Sequence, residues 1–305
     1  MNPSIAPLIA KAGTVILGKE QQIKMALACF LAKGHLLIED IPGIGKTTLA
    51  QALARLMGLE FQRIQCTNDL LPGDILGVSV YERSTGRFTF HPGPIFAQAV
   101  LVDEINRAAP KTQSGLLEAM AEGQVTLDRE RFPLAKPFFV IATQNQQDQI
   151  GTYPLPESQL DRFLMSIQLG YPDREAEITL LQGDDRSELL SALPVLLSPA
   201  AALTIQQQVI ETHASAALLQ YTRNLLEFTR QSPEISLGLS PRAGLALLHC
   251  AKSWAFIDHR TYVLPEDVQT VFAPVAGHRL KFRTDYAETE KSKALDSLLE
   301  NVPVP

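Results

Sequence analysis

The stretch Asp40-Ile41-Pro42-Gly43-Ile44-Gly45-Lys46-Thr47-Thr48 carries the most legible chemistry in this chain. The apolar run Leu36-Leu37-Ile38 before it predicts a buried strand, and residues 49–56 after it predict a helix. A strand, a glycine-containing turn ending in Gly-Lys-Thr, and a helix make a phosphate-binding loop. Backbone N–H groups of such a turn and of the following helix N-terminus converge on an anion. Lys46 would reach the β- and γ-phosphates as a point charge, and the Thr47 hydroxyl would take one position on a bound Mg²⁺. The usual spacing, G-x-x-x-x-G-K-[ST], begins with glycine; here Asp40 stands in that place.

Phosphate chemistry needs a metal carboxylate and a group to position water. Ala99-Val100-Leu101-Val102-Asp103-Glu104 offers both, an apolar strand ending in two acids. Asp103 would hold Mg²⁺ directly or through water, and Glu104 would act as general base. A second apolar run, residues 138–143, ends in Gln144-Asn145, which would aim the Asn145 amide at a γ-phosphate if the strands are neighbours. Arg162 precedes the last predicted strand, and Arg242 follows Ser240-Pro241 at the start of a predicted helix. Cations so placed suit charge stabilisation of a transferring phosphoryl group.

These residues need a scaffold of alternating strands and helices. Strands are predicted at Leu36–Glu39, Phe61–Gln65, Ala99–Asp103, Phe138–Thr143 and Phe163–Leu169, with a helix at Lys111–Glu122. That alternation predicts an α/β layer with a mostly parallel sheet. Two hairpin-like insertions interrupt it, near 69–94 and 123–137, the second built from Gln124–Asp128 and Phe132–Leu134. After Tyr171-Pro172 only helical periodicity is found, at Glu175–Leu181, Ile205–Glu211, Ala214–Gln231, Pro241–Phe256 and Pro265–Val275. The expected division is a nucleotide-binding core, 1–172, and an all-helical second domain, 173–305. Its tail is expected to hold one helix around Lys293–Leu299 and a frayed Val302–Pro305.

Size and composition agree. The 305 residues suffice for two domains, and 46% hydrophobic with 20% charged residues describes a soluble globular protein. The net charge of -6 argues against broad nucleic-acid binding, which needs basic clusters. No basic-then-apolar leader opens the chain, and residues 189–203, broken by Pro194 and Pro199, are too short for a membrane span. Cys29, Cys66 and Cys250 are odd in number and far apart, which fits free thiols in a reducing cytoplasm. The six histidines lack metal-ligand spacing.

The order of these features resembles the AAA+ ATPases, and further segments resemble their MoxR family. They are Val102-Asp103-Glu104-Ile105-Asn106-Arg107-Ala108, residues 64–67, 69–74, 90–96 and 151–157, and Gly170-Tyr171-Pro172-Asp173-Arg174-Glu175-Ala176-Glu177. The likeness covers roughly residues 14 to 282. It implies a P-loop NTPase core with a parallel sheet flanked by helices and a C-terminal helical lid. It assigns Gly43, Gly45, Lys46, Thr47 and Thr48 to Walker A, where relatives commonly carry an acid like Asp40. Asp103 and Glu104 fall in Walker B, Asn145 in sensor 1, Arg162 in the arginine finger and Arg242 in sensor 2. Gly18 matches the adenine-pocket segment. The resemblance further implies ATP and Mg²⁺, a hexameric ring of identical chains, and a protein client handled with a von Willebrand factor A domain partner. Alternatives are a nucleic-acid remodelling ATPase, a magnesium-chelatase-like motor subunit and a non-hydrolysing scaffold.

Overall fold

The computed structural model describes residues 5–127, 129–145, 151–183, 186–283 and 288–304. Helices α1 (Ala6–Gly13) and α2 (Glu20–Leu31) precede strand β1 (Leu36–Glu39), helix α3 (Lys46–Leu56) and strand β2 (Phe61–Gln65). A short helix α4 (Pro72–Leu76) leads into strands β3 (Gly77–Glu82) and β4 (Arg87–Pro92). Then follow β5 (Ala99–Asp103), α5 (Pro110–Glu122), β6 (Gln124–Leu127), β7 (Glu130–Pro133), β8 (Phe139–Gln144), α6 (Glu157–Leu160) and β9 (Met165–Ile167). The C-terminal half holds α7 (Arg174–Leu181), α8 (Arg186–Ser191), α9 (Pro199–Glu211), α10 (Ala216–Gln231) and β10 (Ile235–Leu237). It ends with α11 (Pro241–Ile257), α12 (Pro265–Ala276), β11 (Lys281–Phe282) and α13 (Glu288–Glu300).

Five strands form one parallel sheet in the order β2-β5-β8-β1-β9. Its central strands are apolar on both faces, as a doubly covered parallel sheet requires. Leu36, Ile38, Leu101, Phe139 and Ile141 enter the apolar cluster shared with α1, α2, α3 and the C-terminal helices. Leu37, Val100, Val102, Val140 and Ala142 enter a second cluster, with Leu116, Leu117 and Met120 of α5. Residues alternate between the two because successive side chains of a strand point to opposite faces. The first cluster runs without a break from Ile5 to Val302, so the C-terminal helices share their core with the sheet.

All strands of a parallel sheet end at one edge, where ligands of open α/β sheets bind. Because β5, β8 and β1 are consecutive, Asp103, Asn145 and Asp40 leave adjacent strand ends. Gly45 caps α3 at φ 92, a left-handed backbone that favours glycine.

The two insertions are antiparallel hairpins, β3–β4 and β6–β7. They touch through Phe90 and Phe132, whose rings stack at 4.0 Å. Asp128, expected at the second hairpin, lies outside the described residues.

The C-terminal half corrects two expectations. It is helical but not wholly so, since β10 pairs antiparallel with β11. With three and two residues, those strands are too short to print a period-2 pattern. The tail holds the expected helix as α13, Glu288–Glu300, but the loose end begins later than expected: Val302 is buried with Leu295 and Leu298 in the main cluster, while Val304 is half exposed. Pro305 lies outside the described residues. Helix starts follow the expected chemistry: Pro199 and Pro241 open α9 and α11, and the Ser198 and Ser240 hydroxyls accept from Ala201 N and Ala243 N.

Candidate nucleotide site

Lys46 begins α3 yet is only 7% exposed. Its Nζ donates to the Asp40 carbonyl at 2.6 Å and to Asn145 Oδ1 at 2.8 Å. Burial lowers its pKa, and the nearby carboxylates of Asp40, Asp103 and Glu104 oppose that shift. The Asn145 amide continues the chain, its Nδ2 donating to Glu104 Oε1 at 3.1 Å. Lys46 at a helix start and Asn145 and Glu104 beyond two neighbouring strand ends are thus bonded in series.

Thr143, fully buried in β8, is a position whose chemistry the sequence reading missed. Its hydroxyl donates to Asp103 Oδ1 at 2.6 Å and accepts from Glu104 N at 2.9 Å. That second bond holds Glu104 at φ 54, a left-handed conformation unfavourable for a residue with a Cβ. A polar residue two places before Asn145 in an apolar run was the only available signal. Arg63 and Arg107 were missed as well: Arg63 pairs with Asp103 at 2.6 Å and Arg107 with Glu104 at 2.9 Å.

Asp40, the departure from the usual loop, is engaged by backbone donors. Its Oδ1 accepts from Ile41 N at 2.8 Å, and its Oδ2 accepts from Leu169 N and Gly170 N, each at 2.7 Å. The carboxylate ties the start of the loop to the chain leaving β9, three backbone donors offsetting its burial.

Pro42, Gly43, Ile44, Gly45 and Thr48 line a cavity of about 360 Å³. Val15, Ile16 and Leu17 form one wall; Tyr171, Pro172, Leu180 and Arg186 form another. Gly18 does not line it. It turns at φ +66 against α7, where a Cβ would lie 2.7 Å from Asp173 Oδ2. Its neighbours Leu17 and Lys19 face the cavity. An apolar slot leading to the N–H groups of a helix start suits a purine with a phosphate tail.

A divalent cation also fits the residues present. Asp103 offers carboxylate oxygen, and the Thr47 hydroxyl, one residue into α3, has no hydrogen-bond partner among the described residues. Hard oxygen donors of this kind suit Mg²⁺, which relies on one or two carboxylates plus substrate phosphates. Among the described residues no group of three or more His, Cys, Asp or Glu could hold a metal by itself. Cys66, just beyond β2, is kept a thiol: burial and then the two acids push it up to about 12.

Arg162 and Arg242 are not part of this cluster. Arg162 Nη1 donates to the Leu117 carbonyl of α5 at 2.8 Å. Arg242 Nε lies 3.7 Å from Asp161 Oδ2, a carboxylate also held by Arg279 at 2.7 Å.

Comparison with known proteins decides the lineage. Residues 35–165 match the model of the ATPase family associated with various cellular activities (AAA), and residues 227–300 match the AAA lid domain. The chain is 37% identical to Chaperone MoxR1 of Mycobacterium tuberculosis, over 95% of this chain and 80% of that protein. It is 32% identical to Protein MoxR of Paracoccus denitrificans, over 95% and 93%. The chain belongs to the MoxR family of AAA+ ATPases. The uncharacterised protein YeaC of Bacillus subtilis is 43% identical over 92% of this chain and 88% of its own. A Cytophaga hutchinsonii protein, crystallised as a candidate ATPase, superposes with a TM-score of 0.87 at 36% identity, covering 99% of this chain and 94% of that one. Among the described residues no helix is long and apolar enough to cross a membrane.

Proposed function

We propose that this chain binds ATP with Mg²⁺ and hydrolyses it, acting as a MoxR-type, chaperone-like motor on a client protein. The observation that carries this reading is the hydrogen-bonded series Lys46–Asn145–Glu104 at the mouth of the phosphate loop. It joins a phosphate cation, a polar sensor and a carboxylate base across neighbouring strands.

In this reading the Gly43–Gly45 turn and the first N–H groups of α3 hold the phosphates, with Lys46 on the β- and γ-oxygens. Thr47 and Asp103 would hold Mg²⁺, which would supply charge neutralisation for the phosphate oxygens. Glu104 accepts a proton from the attacking water. Asn145 fixes the Glu104 carboxylate and can exchange that contact for the γ-phosphate. The cavity beside Leu17 and Lys19 takes the adenine.

Arg162 and Arg242 serve a neighbouring copy. The support is their position: Arg242 reaches Asp161, next to Arg162, and neither contacts this chain's own cluster. A shared site of that kind demands a head-to-tail contact, which closes into a ring when the rotation allows. Six subunits is the number the family implies. Residues 1–172 form the core and 173–305 the lid, and the hairpins near 69–94 and 123–137 carry the change in angle to the client. A von Willebrand factor A domain protein is the proposed partner, in the cytoplasm. The name of the Mycobacterium tuberculosis relative, a chaperone, supports this direction.

Two variants test the reading. Lys46→Ala is expected to abolish binding of a fluorescent ATP analogue; unchanged affinity would remove the loop assignment. Glu104→Gln is expected to bind ATP but hydrolyse it about 10²- to 10⁴-fold more slowly. Near-normal phosphate release would remove Glu104 as base. The same ATP-locked form, used as bait, would retain the client.

A further inference from the structure

Each acid at the end of β5 is already held by an arginine of this chain, and the two pairings differ. Arg107 lies three residues after Glu104, so its ion pair is local. Arg63 comes from the neighbouring edge strand β2. The register sets Gln65 opposite Asp103 and Arg63 opposite Leu101, so the guanidinium must run along the strand to reach the acid. It donates through Nη2 to Asp103 Oδ2 at 2.6 Å and to Gln65 Oε1 at 2.7 Å. Gln65 in turn donates to Glu104 Oε2 at 3.4 Å. The Arg63 side chain is 48% exposed and that of Asp103 is 13%.

We infer that Arg63 is a built-in counter-ion that holds the Asp103 carboxylate until a divalent cation displaces it. This rests on reading Asp103 as the metal carboxylate. The Asp103 side chain is engaged on both oxygens, Oδ1 by Thr143 and Oδ2 by Arg63. A cation arriving at this carboxylate stands within a few ångströms of the guanidinium, and like charges at that range repel strongly where water is partly excluded. One of the two must leave. Thr143 is buried and pins the acid, whereas the half-exposed arginine has water to move into. Arg63 is therefore the mobile partner. A bare divalent cation must overcome it alone; a cation arriving with a nucleotide comes with negative phosphates that offset the repulsion. The site takes metal with nucleotide, not ahead of it. Arg63 acts as a positioning residue, through Asp103.

The test is Mn²⁺ binding to nucleotide-free protein, followed by electron paramagnetic resonance. Arg63→Ala is expected to bind Mn²⁺ at least about tenfold more tightly than the parent chain. Arg63→Lys, which keeps the charge, should stay weak, and adding Asp103→Asn to Arg63→Ala should abolish the gain. In turnover, the Mg²⁺ concentration for half-maximal rate should fall in step with the Mn²⁺ gain, whatever becomes of kcat. A purely structural arginine would leave that concentration unmoved. Should the alanine form not fold, Arg63→Gln removes the charge and keeps a donor for Gln65. Unchanged or weaker Mn²⁺ binding in a folded, charge-removed variant overturns the inference. If ATP binding nonetheless depends on Lys46, the nucleotide reading stands and only the counter-ion role falls.

Discussion

Two sets of charged and polar side chains sit in this molecule under opposite conditions. Lys46, Asp103, Glu104 and Asn145 leave adjacent strand ends and close on one another, directly or through Thr143. Arg162 and Arg242 are held elsewhere, Arg162 by the Leu117 carbonyl and Arg242 by Asp161, the carboxylate that Arg279 also engages. The first set has its acids, its cation and its amide within one chain. The second has its cations occupied by a backbone carbonyl and a carboxylate, outside the hydrogen-bonded series of the first. In the proposed function, a phosphate site nearly complete in one copy would draw its transition-state cations from a neighbour.

The sharpest way to break this contrast is to separate the two sets in different chains. Arg162→Ala is expected to slow phosphate release about 10³-fold. Mixing it with Lys46→Ala protein should restore part of the rate, because each variant keeps what the other lacks. No recovery from a mixture that still assembles would mean that the arginines act within one chain.

A second measurement asks what Asp161 holds. Arg279 there is almost wholly buried, with a side chain 5% exposed, while that of Arg242 is 60% exposed. Removing the carboxylate in Asp161→Ala leaves the buried Arg279 with backbone carbonyls but no anionic partner, at a cost of about 3 kcal/mol in urea unfolding. Arg242→Ala should cost under about 1 kcal/mol, since an exposed pair contributes little. Equal losses would show that Arg242 is a structural member of the junction rather than a cation kept available.

The smallest expected effect is a control at the far end of β1. His35 Nδ1 accepts from Val140 N at 3.0 Å, and its Nε2 lies 3.3 Å from the Met120 carbonyl. Burial lowers its pKa from 6.5 to about 4. The folded state therefore prefers the neutral ring. The stability this lends is complete above the unfolded pKa and is lost as pH falls toward the folded one. Between pH 7 and 5 the loss should be about 2 kcal/mol, above the range where most carboxylates titrate. His35→Gln should flatten that part of the unfolding profile. An identical pH dependence in both proteins would mean that the ring is accessible to protons.

How far these features could be read before folding depended on the range of the forces involved. β1 and β5 follow the apolar runs Leu36–Ile38 and Ala99–Val102, because a buried parallel strand is a continuous apolar run, whereas the edge strand β2 is largely polar. The N-terminal helices were harder. In α2, Ile23, Ala26, Leu27, Ala28 and Phe30 are all buried, so no polar face gives the helix a period. Asp40 looked like a defect in the phosphate loop, and its partners lie 129 and 130 residues away. Thr143 and Arg63 carried no motif, and their importance comes from standing beside Asp103 in space.

Local order was written in the chain: a strand, a glycine turn, Lys46 and a helix; an apolar run ending in Asp103 and Glu104; prolines and serines opening helices. Those follow from backbone sterics, periodicity and capping, which act over a few residues. Only the tertiary structure decided that β5, β8 and β1 are neighbours, that Asp40 serves the end of β9, and that Arg242 turns to Asp161. Such choices depend on which distant groups share a buried volume, where an unpaired charge or N–H is costly and must find a partner whatever its distance along the chain.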